Sequence, residues 1–201
     1  MQLPRLFVLG DSISIKYGPY LEQYLAGRYH YDRKRGTEPA LVGLDPVHDD
    51  NGRDSTHVLA FLRAMQRHGG IEADVLLFNC GLHDIKTNPA TGEKQVSPDL
   101  YETNLSAIIQ VVREMGLKII WVRTTPVDDG VHNRLSSEFH RHAVDCETYN
   151  AIADDMMRAF SDCEHRSLQP HAQSRNKSVL RSCTFSRSYP SEAGSLYCWL
   201  A

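Results

Sequence analysis

The chain has 201 residues, 41% of them apolar and 23% charged, with a formal net charge of −3. This is the balance of a folded domain with a sizeable core, and it excludes a disordered chain. It gives no basis for nucleic acid or an acidic membrane surface as a partner. No apolar run approaches the roughly 18 residues of a membrane span. Leu6–Leu9 run straight into a turn without a leader or cleavage site, so a cytoplasmic protein is expected. The five cysteines (Cys80, Cys146, Cys163, Cys183, Cys198) show no CxxC spacing and are not a disulfide framework.

In chain order, Arg5–Leu9 is a short apolar run ending at Gly10 and reads as a buried strand. Tyr17–Gly27 carries apolar and aromatic residues at helical spacing and stops at a glycine. Pro39–Leu44 reads as a second strand. Ser55–His68 opens on an N-cap residue and places Val58, Leu59, Leu62 and Met65 on one helical face. Val75–Asn79 is nearly all apolar, as expected of a strand covered on both faces. Asp99–Met115 is a helix with Leu105, Ile108, Ile109 and Val112 inward. Leu117–Val122 is a fourth strand and Val144–Phe160 a further helix. Strand–helix alternation of this kind predicts a three-layer α/β/α domain around a parallel sheet, in the flavodoxin-like order 2-1-3-4. Ligands of such sheets sit at the carboxyl ends of the strands.

Those ends carry an ordered set of residues: Gly10-Asp11-Ser12, then Asn51-Gly52-Arg53-Asp54-Ser55, then Asn79-Cys80-Gly81-Leu82-His83-Asp84, then Thr124-Thr125-Pro126-Val127. Ser12 lies where a strand turns towards a helix, so its hydroxyl is exposed and nearby amides can stabilise an oxyanion. Alone it reads equally as a turn or cap serine. Gly52 lets backbone approach a ligand closely, or marks an ordinary Asn-Gly turn.

Taken together, the blocks resemble those of the SGNH (GDSL) hydrolase family over about residues 6–160. The resemblance implies Ser12 as nucleophile, with Ser12, Gly52 and His83 forming the oxyanion hole. The family usually has Asn at the position of His83. A neutral imidazole can also donate one N–H, though the role then depends on tautomer and pH, and a structural histidine is the other reading. Asp11 and Asp84 read as loop-ordering carboxylates. His132, His140 and His142 lack zinc-site spacing, and no metal or cofactor is expected.

A serine hydroxyl needs a general base, normally a His oriented by a carboxylate. In the family both come from a C-terminal Asp-x-x-His block after a fifth strand. Asp129-Gly130-Val131-His132 has that spacing but stands too early in the chain, and it is read as a weak substitute acid/base pair. The segment from His165 to Ala201 contains eight Ser, five Lys or Arg and a single acid, Glu192. Codons can be chosen for it that, read one base later, encode a strand-like start, then Asp-His-Val-His, then an amphipathic helix. The expectation is therefore a domain over 1–164 followed by an out-of-frame tail over 165–201, with the fifth strand lost or poorly formed. The function expected is hydrolysis of small esters through Ser12, with carbohydrate O-acetyl esters preferred on the resemblance and activity impaired by the missing block. The alternative is a non-catalytic, ligand-binding α/β domain.

Overall fold

The computed structural model describes residues 2–35 and 50–167, with 162–167 as backbone only. Four strands form one parallel sheet: β1 (Arg5–Leu9), β2 (His30–Arg33), β3 (Val75–Phe78) and β4 (Lys118–Trp121), in the order β2-β1-β3-β4. Leu6 pairs with Tyr31 on one side and Val75 on the other, and Val75 pairs with Lys118. The connecting helices are α1 (Ser12–Leu25), α2 (Ser55–Arg67), α3 (Pro98–Glu114), α4 (Asp129–Leu135) and α5 (Ala143–Ser167).

Strand alternation sorts the core into two layers. Phe7, Leu9, Leu76, Phe78, Ile119 and Trp121 face α2, α3 and α5, where they meet Leu62, Ile108, Tyr149 and Met157. The rings of Phe78 and Trp121 lie 5.1 Å apart. Leu6, Val8, Val75 and Leu77 point the other way, onto Leu21 and Leu25 of α1. Each such fully buried side chain contributes about 1.5–3 kcal/mol. Among the described residues, α1 is the only helix packed on this second face, and Ile120 and Val122 are partly buried there. No helix among the described residues is long and apolar enough to cross a membrane.

Four boundaries differ most from the sequence expectation. The second strand is His30–Arg33, while Pro39–Leu44 lies outside the described residues. Polar β2 is held at the sheet edge by buried Arg33, whose guanidinium donates to the Ser14 carbonyl (3.1 Å) and the Asp50 carbonyl (3.2 Å). Helix α1 begins at Ser12, five residues earlier than its apolar spacing suggested, because Asp11 caps it and accepts from Ile13 N–H at 2.9 Å. The N-cap of α2 is Asp54 and not Ser55. Helix α5 continues to Ser167, past the 164/165 boundary, and 168–201 lie outside the described residues.

Candidate active site

The site is assembled from four strand ends. At the end of β1, Asp11 is buried with its side chain and carbonyl turned into the first turn of α1, where the carbonyl accepts from Ser14 Oγ at 2.7 Å. Burial pushes the Asp11 carboxyl up, opposed by its bonds to the Ile13 and Ser14 amides and by the Arg141 charge. Ser12 follows as the first residue of α1, and its side chain is exposed. Its N–H is one of those a helix start leaves without an intrahelical acceptor, at the positive end of the helix dipole. Among the described residues nothing lies within hydrogen-bond reach of the Ser12 hydroxyl.

Gly52 sits against this turn. A Cβ there would come within 3.1 Å of the Gly10 carbonyl oxygen, so a side chain would push the two backbones apart by a few tenths of an ångström. The Gly52 N–H donates to that same carbonyl at 2.7 Å. In this geometry the amide ties the second block to the Gly10–Ser12 turn and is not free to serve as an oxyanion donor. The next residue, Arg53, takes a left-handed φ of 58°, which is costly for a side chain with a Cβ. Asp54 then caps α2, with Oδ1 accepting from the His57 amide (3.0 Å) and Nδ1 (2.8 Å). Burial raises the Asp54 carboxyl, but these bonds and that from Gln95 outweigh it and the net direction is down. Asp54→Ala is expected to lower stability by about 1–2 kcal/mol, measured by urea unfolding. An unchanged midpoint would contradict the capping role.

The third block is fixed at both ends. Gly81 has a φ of +140°, and a Cβ there would lie 2.2 Å from Thr124 Oγ1. That hydroxyl donates to the Cys80 carbonyl at 2.9 Å, linking the ends of β3 and β4. Asp84 Oδ1 accepts from Ser55 N–H at 2.9 Å, linking the block to α2. His83 therefore stands between two anchored neighbours. Burial, then the charges of Lys86 and Arg141, push its imidazole down to about 4. It is neutral at pH 7 and can offer one N–H. Burial pushes the Asp84 carboxyl up to about 6, against its bonds from Ser55.

These two shifts carry opposite linkage. Between pH 4 and 6.5 the unfolded chain binds more protons at His83, so this group makes stability rise with pH. Between 3.8 and about 6 the folded chain holds more proton at Asp84, so that group makes stability fall with pH. The slopes oppose one another in the native chain. Relative to the native chain, His83→Asn should shift the slope of stability across pH 4 to 6 downward and Asp84→Asn should shift it upward, both read by urea unfolding. Equal slopes in the two variants would contradict the assignment.

Asp129 and His132 do not form a pair. Asp129 Oδ1 accepts from Ala143 N–H at 2.6 Å, and Oδ2 lies 3.3 Å from His142 Nδ1. His132 turns instead towards Asn133 Oδ1 (3.1 Å, from Nδ1) and Arg141 Nη1 (3.0 Å, from Nε2). A guanidinium can only donate, so Nε2 is engaged as an acceptor and its lone pair is not directed at Ser12. The physical reason is helix α4: Asp128 caps it, and Asp129 in its first turn closes onto the start of α5.

Arg141 is the site residue that sequence reasoning missed. Its Nε donates to the Leu82 carbonyl at 2.6 Å, beside His83, and its charge acts on both His83 and Asp11. A lone Arg far along the chain from Leu82 carries no spacing signal.

No protein-family model and no curated protein matches the chain in sequence. Solved structures do match. A GDSL-like lipase from Bacteroides thetaiotaomicron aligns with a TM-score of 0.51 at 10% identity, over 80% of this chain and 65% of that one. The carbohydrate acetylesterase Est24 from Sinorhizobium meliloti aligns with a TM-score of 0.51 at 11% identity, over 79% of this chain and 81% of that one. The chain has the fold of the GDSL/SGNH hydrolases. This SGNH-like chain spans 65% of the lipase's length, and at such identity the likeness is one of architecture. Its motif blocks stand on that architecture at the ends of β1 and β3, before α2 and after β4.

Proposed function

We propose that this chain is built as a serine ester hydrolase in which Ser12 Oγ attacks the carbonyl carbon of a small ester. The observation that carries the reading is the position of Ser12: exposed, at the N-terminus of α1, on a turn joined to Gly52 by a 2.7 Å backbone bond. The Ser12 hydroxyl would lose its proton to a base as the acyl–oxygen bond forms. The alcohol would leave with a proton, and water would then release the acid. The His83 N–H and the Ser12 amide are the donors available to the tetrahedral oxyanion, each worth about 3 kcal/mol where well aimed. The Gly52 amide joins them only if it leaves the Gly10 carbonyl. Carbohydrate O-acetyl esters are the preferred substrate class, in line with the acetylesterase that shares the fold.

The base is the missing part. In the present reading, residues 165–201 are an out-of-frame replacement for the Asp-x-x-His block, the fifth strand and a closing helix. Asp11, Asn79, Arg123 and Thr125 line a small cavity at the ends of β1, β3 and β4. The test is p-nitrophenyl acetate turnover by the chain as it stands, by a version restored to the alternate frame, and by Ser12→Ala of each. A second reading, a ligand-binding domain without turnover, is favoured by the engagement of Gly52 N–H and His132 Nε2 away from Ser12. It predicts no Ser12-dependent rate in either frame.

A further inference from the structure

Beside His83 the structure gathers two cations, Lys86 and Arg141, that pair with no carboxylate among the described residues. Lys86 Nζ lies 4.7 Å from the centroid of the Phe139 ring, and Arg141 Cζ lies 4.9 Å from the same centroid. Both side chains are half-buried. Arg141 uses Nε on the Leu82 carbonyl and Nη1 on His132, which leaves Nη2 without an acceptor among the described residues. Lys86 Nζ has neither hydrogen bond nor carboxylate within ion-pair distance there. The nearby acids do not supply one. Asp54 is held by His57 and Gln95, Asp11 by the first turn of α1, and Glu138 is exposed and unpaired with either cation. Arg53 adds a third positive charge to the field at His83 and Lys86.

Half-burying two cations 5 Å or less from one ring costs desolvation and mutual repulsion, which cation–π contact offsets only in part. A bound anion removes both penalties. Arg141 is already oriented by its bond to Leu82, so its free edge is organised for an oxyanion. Resting on the hydrolase reading of Ser12, we propose that the ester taken at this site carries an oxyanion group, carboxylate or phosphate, gripped by Arg141 and Lys86 beside Phe139. Arg141 and Lys86 are then specificity-determining residues that orient the ester towards Ser12.

The test uses binding to the Ser12→Ala form of the 201-residue chain, by calorimetry. The probes are para-acetoxybenzoate, para-acetoxyphenyl phosphate and the neutral methyl para-acetoxybenzoate. At least one anionic ester should bind about tenfold or more tighter than the neutral one, with the advantage shrinking as salt rises. The tighter of the two identifies carboxylate or phosphate. Lys86→Gln and Arg141→Gln should each cut that anionic-over-neutral preference about fivefold. Thermal unfolding verifies that both variants are folded. Equal binding of all three esters, or a preference that survives the double variant, would overturn the proposal. Because the readout is binding, anion preference without Ser12-dependent turnover in the restored frame would support this inference and sink the hydrolase reading alone. Turnover of the neutral ester without anion preference would do the reverse.

Discussion

Restoring the alternate frame downstream of Phe160 is expected to raise p-nitrophenyl acetate hydrolysis by about 10⁴-fold over the 201-residue chain. The chemistry sets the size of the effect. In the proposed reading the 201-residue chain lacks a base, so the Ser12 hydroxyl keeps its proton at pH 7 and attacks poorly; loss of one triad member typically costs several orders of magnitude. The proposed donors at His83 and the start of α1 remain, so a weak residual rate should persist in the chain as it stands. The packing points the same way. Among the described residues, the sheet face of Val75, Leu77, Ile120 and Val122 is met by α1 alone, and β4 is the last strand of the sheet. A further strand and helix would cover that face and edge, so the restored chain should also unfold at higher urea. Ser12→Ala should return the restored chain to the residual rate. A restored chain no faster than the present one would refute the missing-base account.

Gly81→Ala should be among the most damaging single changes, lowering stability by about 3 kcal/mol or more. Two penalties add. A φ of +140° disfavours any side chain with a Cβ, and the new methyl would lie 2.2 Å from Thr124 Oγ1. Thr124 cannot simply turn away, because its hydroxyl donates to the Cys80 carbonyl, and its N–H donates to Asn150 Oδ1 at 2.8 Å. Relief must come from the backbone of the loop that presents His83. In the restored chain the same substitution should therefore lower kcat more than it raises KM. Urea unfolding and steady-state kinetics give the two numbers. A change below about 1 kcal/mol would show the loop to be softer than this packing implies.

The sequence was most readable where burial is on both faces. Leu6–Leu9, Val75–Phe78 and Ile119–Trp121 are continuous apolar runs, and parallel strands covered on both sides require that composition. The helices α2 and α3 follow from their apolar stripes. Edge strand β2 was not readable, because His30 and Asp32 are exposed and Arg33 is placed by the carbonyls of Ser14 and Asp50, not by burial of apolar surface. The start of α1 was hidden because Ile13 and Ile15 look strand-like, although Asp11 is a valid cap signal. Helix α4 spans seven residues with Gly130 inside, too short for periodicity. In the site, Ser12, Gly52 and His83 stood out because each follows a turn in a set order. The engagement of the Gly52 amide and the turning of Asp129 towards Ala143 depend on tertiary contacts that no local pattern encodes. Arg141 was invisible for the same reason.

The most direct measurement is covalent labelling with a fluorophosphonate, which reacts with an activated serine and releases fluoride. Intact-mass and peptide mapping would be run on both frames. The account predicts a single adduct on Ser12 in the restored chain, and labelling slower by orders of magnitude in the 201-residue chain. An adduct on another residue, or equally fast labelling of Ser12 in both chains, would contradict it.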